Sequence, residues 1–556
     1  MNRPWYRFYD EGVPRSIDYP EVPLPQLVEE KAKEHARNIA IHFMKTDITY
    51  EEFQKSIDRM ATALYDLGIR KGDRVALMLP NSPQFMISFY AVLKLGAIVV
   101  QTNPLYMPYE LEHILKDSGA ETIITLAILR PKVEEVKDKT PLKRVIYTSL
   151  AEYMPTLLGL GYKLRMKIKG LPTGIPKGEG IFAFQELLRY PINPPDVSID
   201  PKEDVALFQY TGGTTGFPKA VMLTHYNLVV NAYQTIHWFP NLEWGKETIL
   251  AVLPFFHVYG MTVAMNFSTL TGSKIILVPR FNVKQVVKLI EKHRVTLFPG
   301  APKIYIDIIN MPDVGKYDLS SVKACISGSA PLPVKVKEEF ERLTGAKLVE
   351  GYGLSEASPV THANPIMGLN KAGSIGIPFP DTDAKIVDVE TGEKEMPIGE
   401  PGELIVKGPQ VMKGYWNRPE ETAKVLRNGW LYTGDIAKMD EDGYFYIVDR
   451  KKDMIIVSGY NVYPREVEEV FFHHPAVKEV AVVGVPDPKT GERVKAFVVL
   501  KEGATATEEE LIEFCRQRLA KYKCPKEIEF RDELPKTFIG KVLRRKLREE
   551  EEKKQG

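Results

Sequence analysis

The sequence predicts an α/β protein: a large N-terminal region of two parallel-type α/β subdomains with a small β-rich subdomain, followed by a small α+β domain. Three observations lead there. Apolar strand-like runs alternate with helical stretches from Ile39 onward, short strands and turns replace helices from Ala384 to Tyr446, and the pattern changes again beyond Asp449. Alternating strand and helix is the pattern of parallel layers, and short strands broken by turns are the pattern of a local sheet. At 556 residues the chain exceeds what one hydrophobic core serves, so several units are expected.

The elements follow in order. DRVALMLP (73–80), AIVVQTNP (97–104) and AETIITLA (120–127) read as strands, separated by the helical SPQFMISFYAVLKLG (82–96) and YELEHILKDSG (109–119). This style runs from Ile39 to about Leu277. SKIILVP, VKQVVKLIEKHRV, TLFPGAP and VKACISGSAPLP resume it between Ser273 and Pro333, as a second α/β unit. KIVDV, GELIVKG and GYFYIVD supply the β-rich part. Beyond it, PREVEEVFFHHP reads as a helix, VKEVAVVGVPD and VKAFVVLKE as strands, and EEELIEFCRQRLAKYKCP as a helix. The basic, turn-like DRKKD at Asp449–Asp453 marks the expected boundary: 1–449 as the N-terminal domain, 450–453 as a linker, 454–556 as the C-terminal domain. The closing EEEEKKQG reads as a frayed, solvated helix end.

Composition excludes several classes. With 74 basic against 73 acidic residues and a net charge of +1, nothing marks a nucleic-acid binder. Cys325, Cys515 and Cys524 have neither disulfide-framework nor zinc spacing, so they read as packing residues in a reducing compartment. The N-terminus has no apolar secretory core, and Ala91–Val100, interrupted by Lys94, is far shorter than the ~18 apolar residues of a membrane span. A cytoplasmic location is expected. Within Leu157–Gly180, Lys163, Arg165, Lys167 and Lys169 alternate with Tyr162, Leu164, Met166 and Ile168. Basic plus apolar residues suit peripheral contact with anionic lipid at the inner membrane face, but the period of two favours an irregular, solvated insertion.

YTGGTTGFPKAV, Tyr210 to Val221, directly follows the apolar run Val205–Phe208. Glycines let backbone N–H groups turn toward an anion, hydroxyls donate to its oxygens and a lysine supplies charge, so the loop suits phosphate. It is not a Walker loop: Phe217 and Pro218 separate Gly216 from Lys219, and a strand-like AVMLTH follows. Taken alone, phosphate cradle and structural turn remain open. SGSAPLP (327–333), EGYGLSEASP (350–359), NGWLYTGD (428–435), DRKKDMIIVSGYNVYPREVE (449–468) and PKTFIGK (535–541) share its style, each pairing glycines with polar or ionic side chains. In YGLSE a flat aromatic, a hydroxyl and a carboxylate suit a base, a phosphate and a metal ion. The acid closing WLYTGD can accept two ribose hydroxyls.

In order and wording these segments resemble the signature motifs of the adenylate-forming superfamily of acyl-CoA synthetases, firefly luciferases and peptide-synthetase adenylation domains. The resemblance runs from ITYEEF (48–53) to the terminal GK, and NGWLYTGDIAKMDEDGYFYIVDRKK is most similar to the fatty-acyl-CoA synthetase branch. It implies an ATP- and Mg²⁺-dependent ligation of a medium- or long-chain fatty acid to CoA through an acyl-adenylate. Thr211, Gly212, Gly213, Thr214, Thr215, Gly216 and Lys219 would engage the ATP phosphates, with Thr211 and Glu356 at Mg²⁺. Tyr352 and the backbone of Gly328, Ser329, Ala330 and Pro331 would hold adenine, within a surround that includes Glu350, Gly351 and Gly353. Ser355 would meet the α-phosphate, and Asp435 and Arg450 the ribose. Lys541 would bridge the substrate carboxylate and the α-phosphate. Lys452 would be the hinge of a mobile C-terminal domain, and Gly459 would line the pantetheine channel. Asn461 stands where some relatives carry a basic residue or glutamine. His257 would sit between acyl pocket and α-phosphate, although a lone histidine in an apolar segment is usually a core residue. Trp238, Phe239, Phe256, Tyr259, Met261 and Val263 read equally as acyl pocket and as core. The alternatives are an aryl or short branched acid as substrate, transfer to a carrier protein, and a non-catalytic lipid sensor. Oligomeric state is left open, a homodimer included.

Overall fold

The computed structural model describes residues 3–211, 218–457, 460–519, 521–536 and 542–555. It forms two compact units: Tyr6–Asp383 with Lys407–Gly429, and Met1–Trp5 with Ala384–Val406 and Trp430–Gly556. No helix among the described residues is long and apolar enough to cross a membrane.

The first unit is built on an eight-stranded sheet. Its strands in chain order are β1 (Arg74–Met78), β2 (Ile98–Gln101), β3 (Thr122–Leu126), β4 (Arg144–Thr148), β5 (Ile181–Ala183), β6 (Val205–Thr211), β7 (Lys219–Thr224) and β8 (Gly414–Tyr415), and across the sheet they stand β8-β7-β6-β2-β1-β3-β4-β5. The six from β6 to β5 are mutually parallel, as the strand–helix alternation predicts. β7 runs antiparallel to β6, and β8 antiparallel to β7, so β8 points the same way as the six. Val100, Ile123, Val145 and Phe208 of the sheet pack with Leu111, Ile114, Leu115, Val133 and Val136 from the covering helices Pro108–Ser118 and Arg130–Lys137. Burial on both sides is why these strands read as near-continuous apolar runs.

The second α/β sheet is not contiguous in the chain. Lys274–Leu277, the SKIILVP strand, lies parallel between Thr248–Ala251 and Ile39–Phe43, so the first strand of the sequence crosses over to it. Leu297 bridges it to Ala324–Ser327, which pairs parallel with Lys347–Gly353.

In the second unit Gly402–Lys407, β9 (Trp430–Met439) and β10 (Phe445–Arg450) form the expected β-rich part, antiparallel throughout. Val477–Asp487 and Gly491–Leu500 make a long hairpin whose Val482 and Val498 pack on Phe471 and Leu511 of the helices Pro464–Phe472 and Glu508–Arg516. The expected boundary residues Asp449–Asp453 lie within this unit, held by arginines: Arg548 reaches Asp453 at 2.9 Å, and Arg544 lies 3.6 Å from Asp453 and 3.9 Å from Asp449.

Two expectations are corrected. The segment Leu157–Gly180 is irregular only in its second half: Thr156–Ile168 is a helix, α1, whose Leu157, Leu160, Leu164 and Ile168 recur at the helical spacings of three and four. The acidic C-terminus is only in part a solvated end: Arg544–Gln555 is a helix whose Glu552, Lys553 and Lys554 are exposed, but whose Glu551 is 4% exposed and accepts from the buried Lys495 Nζ at 2.8 Å. All three cysteines are buried thiols, as expected of packing residues.

Candidate active site

β6 and β7 form a hairpin whose register sets Thr211 opposite Lys219. Its tip, Gly212, Gly213, Thr214, Thr215 and Gly216 with Phe217, lies outside the described residues. The base of the hairpin is anchored. Tyr210 Oη donates to Asp117 Oδ2 at 2.9 Å, Arg418 Nη2 donates to the other oxygen of that carboxylate at 2.9 Å, and Trp416 Nε1 donates to its backbone carbonyl at 3.1 Å. Burial, then the Asp117 charge, pushes the Tyr210 phenol far above its usual range, so it stays a donor.

The residues at the mouth of the hairpin come from the excursion Lys407–Gly429. β8 pairs with β7, Tyr415 opposite Val221, and this brings the Tyr415 ring beneath the Lys219 ammonium, 4.5 Å from nitrogen to ring centroid. Lys219 is ion-paired with Glu421. At the rim of the same ring, Tyr415 Oη donates to Glu356 Oε1 at 2.7 Å. The carboxylate expected at the metal and the lysine expected at the phosphates therefore flank one tyrosine. Sequence reading passed over Tyr415 and Glu421. The only signal was the run GYWNRPEE, a glycine, two aromatics and paired acids following a strand.

Glu356 sits in the short 3₁₀ turn Ser355–Ala357, half-buried, its backbone carbonyl accepting from Met412 N at 2.8 Å. Oε1 is held by Tyr415, and Oε2 has no protein partner among the described residues. A carboxylate oxygen and a threonine hydroxyl are hard oxygen donors of the kind that suits Mg²⁺, which retains water and phosphate ligands. Glu356 and Thr211 thus fit that ion.

Tyr352 is the penultimate residue of the strand Lys347–Gly353, partly exposed, with its ring edge-on to His362 at 6.0 Å. Gly353 has a structural reason: a Cβ there would lie 2.2 Å from the Pro359 carbonyl oxygen. Glu350 and Gly351 are buried in the same strand, the Glu350 carbonyl accepting from Asn364 N at 2.9 Å. In the loop after Ala324–Ser327, Gly328 packs against the Tyr259 ring, while Ser329 takes the left-handed conformation with φ 71° and, like Pro331, faces outward; Ala330 is half-buried.

His257 precedes a helical segment that continues through the π-turn Met261–Asn266. Burial lowers its imidazole to about 4, so the ring is neutral near pH 7. The aromatic and apolar residues left undecided by sequence now separate. Phe239 and Val263 line a cavity with Phe267, Phe298 and Ile326. Trp238 is core, its ring tilted against Phe379 at 4.6 Å and its Nε1 donating to the Asn364 carbonyl. Met261 is fully buried and Tyr259 Oη is spent on the Gly300 and Ile326 carbonyls. Phe256 is buried with its ring 4.9 Å from His257.

In the second unit Asp435 and Arg450 are register partners across β9 and β10, with Arg450 Nε 3.3 Å from the buried carboxylate. The turn that aims Asp435 is fixed when Gly434 N donates to Glu403 Oε1 at 3.1 Å, and the same carboxylate holds Lys451 at 2.8 Å. Lys452 is exposed, and its backbone carbonyl accepts from Arg548 Nη1 at 3.2 Å. Lys541 and Gly459 lie outside the described residues, as does the side chain of Asn461.

A sequence profile described as AMP-binding enzyme matches residues 28–416, and one described as AMP-binding enzyme C-terminal domain matches 466–541. Over 557 residues the chain is 52% identical to a long-chain-fatty-acid–CoA ligase of Bacillus subtilis (strain 168), covering 99% of this chain and 98% of that one. A long-chain-fatty-acid–CoA ligase of Escherichia coli O6:H1 is 41% identical over 558 residues, at 99% and 98% coverage. Among solved structures, ATP-bound MatB from Rhodopseudomonas palustris superposes with a TM-score of 0.82 at 29% identity, covering 95% of this chain and 98% of that one.

Proposed function

The chain belongs to the family of AMP-binding enzymes, and from that premise we propose that it is a long-chain fatty acid:CoA ligase, converting fatty acid, ATP and CoA into acyl-CoA, AMP and pyrophosphate. The observation that carries the nucleotide chemistry is the Tyr415 arrangement, with an ammonium over the ring and an oriented carboxylate on its hydroxyl. The fatty acid rests on the two long-chain relatives, supported by the apolar cavity beside Phe239 and Val263, which suits an alkyl chain.

In the first step a carboxylate oxygen of the acid attacks the α-phosphorus, the bond to the bridging oxygen breaks, and pyrophosphate leaves. Both reactants are anionic, so the protein's task is alignment and charge neutralisation rather than proton transfer. Thr211, Thr214, Thr215 and Lys219 hold the leaving phosphates, with Lys219 exchanging Glu421 for phosphate. Glu356 and Thr211 hold Mg²⁺, which when bound offsets phosphate charge. Tyr352 and residues 328–331 take the adenine, Ser355 the α-phosphate, and Asp435 and Arg450 the ribose. Neutral His257 positions the substrate carboxylate without adding charge. Lys541 bridges carboxylate and α-phosphate. In the second step the CoA thiolate, passing Gly459, attacks the acyl carbonyl and AMP leaves. Rotation of the segment 454–556 about Lys452 between the steps belongs to the same reading.

AMP release measured against acids from acetate through octanoate to oleate, and benzoate, with and without CoA, tests this. Turnover concentrated on long-chain acids and dependent on CoA is expected; turnover confined to benzoate or acetate, or release indifferent to CoA, would refute it.

A further inference from the structure

We propose that α1 is a docking helix for an anionic lipid surface. Its buried side is narrow. Gly159 is the one buried residue of the helix and Tyr162 and Met166, at helical spacings from it, are half-buried. A Cβ at Gly159 would stand 3.0 Å from the Ala151 carbonyl oxygen, so the missing side chain lets α1 lie close on the preceding turn. The opposite side carries Leu157, Leu160, Leu164 and Ile168, which are 87%, 59%, 61% and 77% exposed. At 100° per residue these four fall within an arc of about 80°. Exposed Lys163 and Lys167 flank that stripe on one side, and Arg165 and Lys169 flank it on the other. A leucine stripe between two cationic rows is the surface of a helix lying in a lipid interface, with its apolar face among the acyl chains and its long cationic side chains reaching the phosphates.

The neighbouring chain agrees. β2 and β4 are parallel strands of one sheet, so the segments leaving their C-terminal ends emerge at the same edge. The first of these carries Leu105 and Met107, both exposed, and the second leads into α1. A second copy of this chain is a poor occupant. From Thr156 to Gly170 there are four cations and no acid, so two such helices face to face would bring like charges together. An anionic bilayer complements both the stripe and its flanks. Docking of this kind is set by the helix surface and not by which acid the site activates.

The test is co-sedimentation of the full chain with vesicles of phosphatidylcholine alone and of phosphatidylcholine with phosphatidylglycerol, at low and high salt. The wild type is expected to bind the phosphatidylglycerol vesicles and to be released by salt. Replacing Lys163, Arg165, Lys167 and Lys169 by glutamine should lower partition on the order of 1,000-fold. The pair Leu160→Ser and Leu164→Ser should lower it about tenfold or more. All these side chains are exposed, so thermal melts should match the wild type. Equal binding to both vesicle types, or variants that bind as the wild type does, would overturn the proposal. So would a wild-type dimer that ignores vesicles and becomes monomeric on the leucine substitutions.

Discussion

Replacing Tyr415 by phenylalanine removes one hydroxyl and leaves the ring beneath Lys219. What is lost is the 2.7 Å hydrogen bond to Glu356 Oε1. A hydrogen bond to a charged group contributes about 1.5–3 kcal/mol when well buried. Glu356 is half-buried, so the lower end applies, which corresponds to roughly tenfold in an equilibrium constant. Loss of an orienting partner behind a metal ligand costs about 10–100-fold in metal affinity, the same range. The expected result is an apparent Mg²⁺ affinity weakened about tenfold in AMP-release assays, with little change at saturating Mg²⁺. Because burial and the Glu356 charge hold the phenol far above its usual range, the difference should be constant between pH 6 and 9. Tyr415→Leu should add a rise in the KM for ATP, since an ammonium over an aromatic ring is worth about 0.5–1 kcal/mol at a partly exposed site. A Tyr415→Phe enzyme with unaltered Mg²⁺ dependence would refute the orienting role.

Glu421→Gln removes the charge that Lys219 must give up to bind phosphate, so the KM for ATP should fall by a few-fold, of the order of an exposed pair's contribution; an unchanged or raised KM contradicts the exchange. Burial lowers His225 and His257 to about 4 and His362 to about 3, so the folded state holds them neutral while the unfolded chain protonates them near 6.5. Their stabilisation is therefore complete above that value and declines as the pH falls through it, by about 2 kcal/mol per fully buried ring at pH 5. Asp449, raised to about 6 by burial, opposes this by about 1 kcal/mol over the same interval. Denaturant unfolding at pH 7 and pH 5 should show the net loss, with a shallower pH slope for His225→Gln; a slope equal to the wild type's would count against the assignment. Gly353→Ala sets a methyl carbon against the Pro359 carbonyl and should lower Tm sharply even before substrate is added, which circular dichroism would read. Lys541→Ala should abolish acyl-AMP formation while largely sparing thioester formation from supplied acyl-AMP; unimpaired adenylation would remove that role.

Much of the architecture was legible because apolar periodicity reports burial directly. The runs at Val75, Val99, Ile123 and Val145 are strands because both faces are covered, and continuous apolar strands between helices leave little other choice. Membership of the sheets was harder to read. Ile39–Phe43 carries the same pattern as its neighbours, yet it pairs with Lys274–Leu277 far along the chain. The alternation Lys163–Lys169 misled because helical residues four apart also satisfy a period of two: Leu164 and Ile168 share the exposed side of α1 while Met166 is half-buried on the other.

By itself the sequence determined the α/β class, the strand leading into a glycine-rich loop, and the residue types that handle phosphate, metal and ribose, since local spacing dictates which backbone and side-chain groups are offered. Tertiary structure decided which of them meet. Tyr415 and Glu421 lie some two hundred residues beyond Lys219 in the chain, and the run GYWNRPEE around them does not say which lysine they meet. They reach the lysine because Gly414–Tyr415 adds an antiparallel strand to β7, and hydrogen-bond register across a sheet is a relation between distant segments that no local pattern encodes.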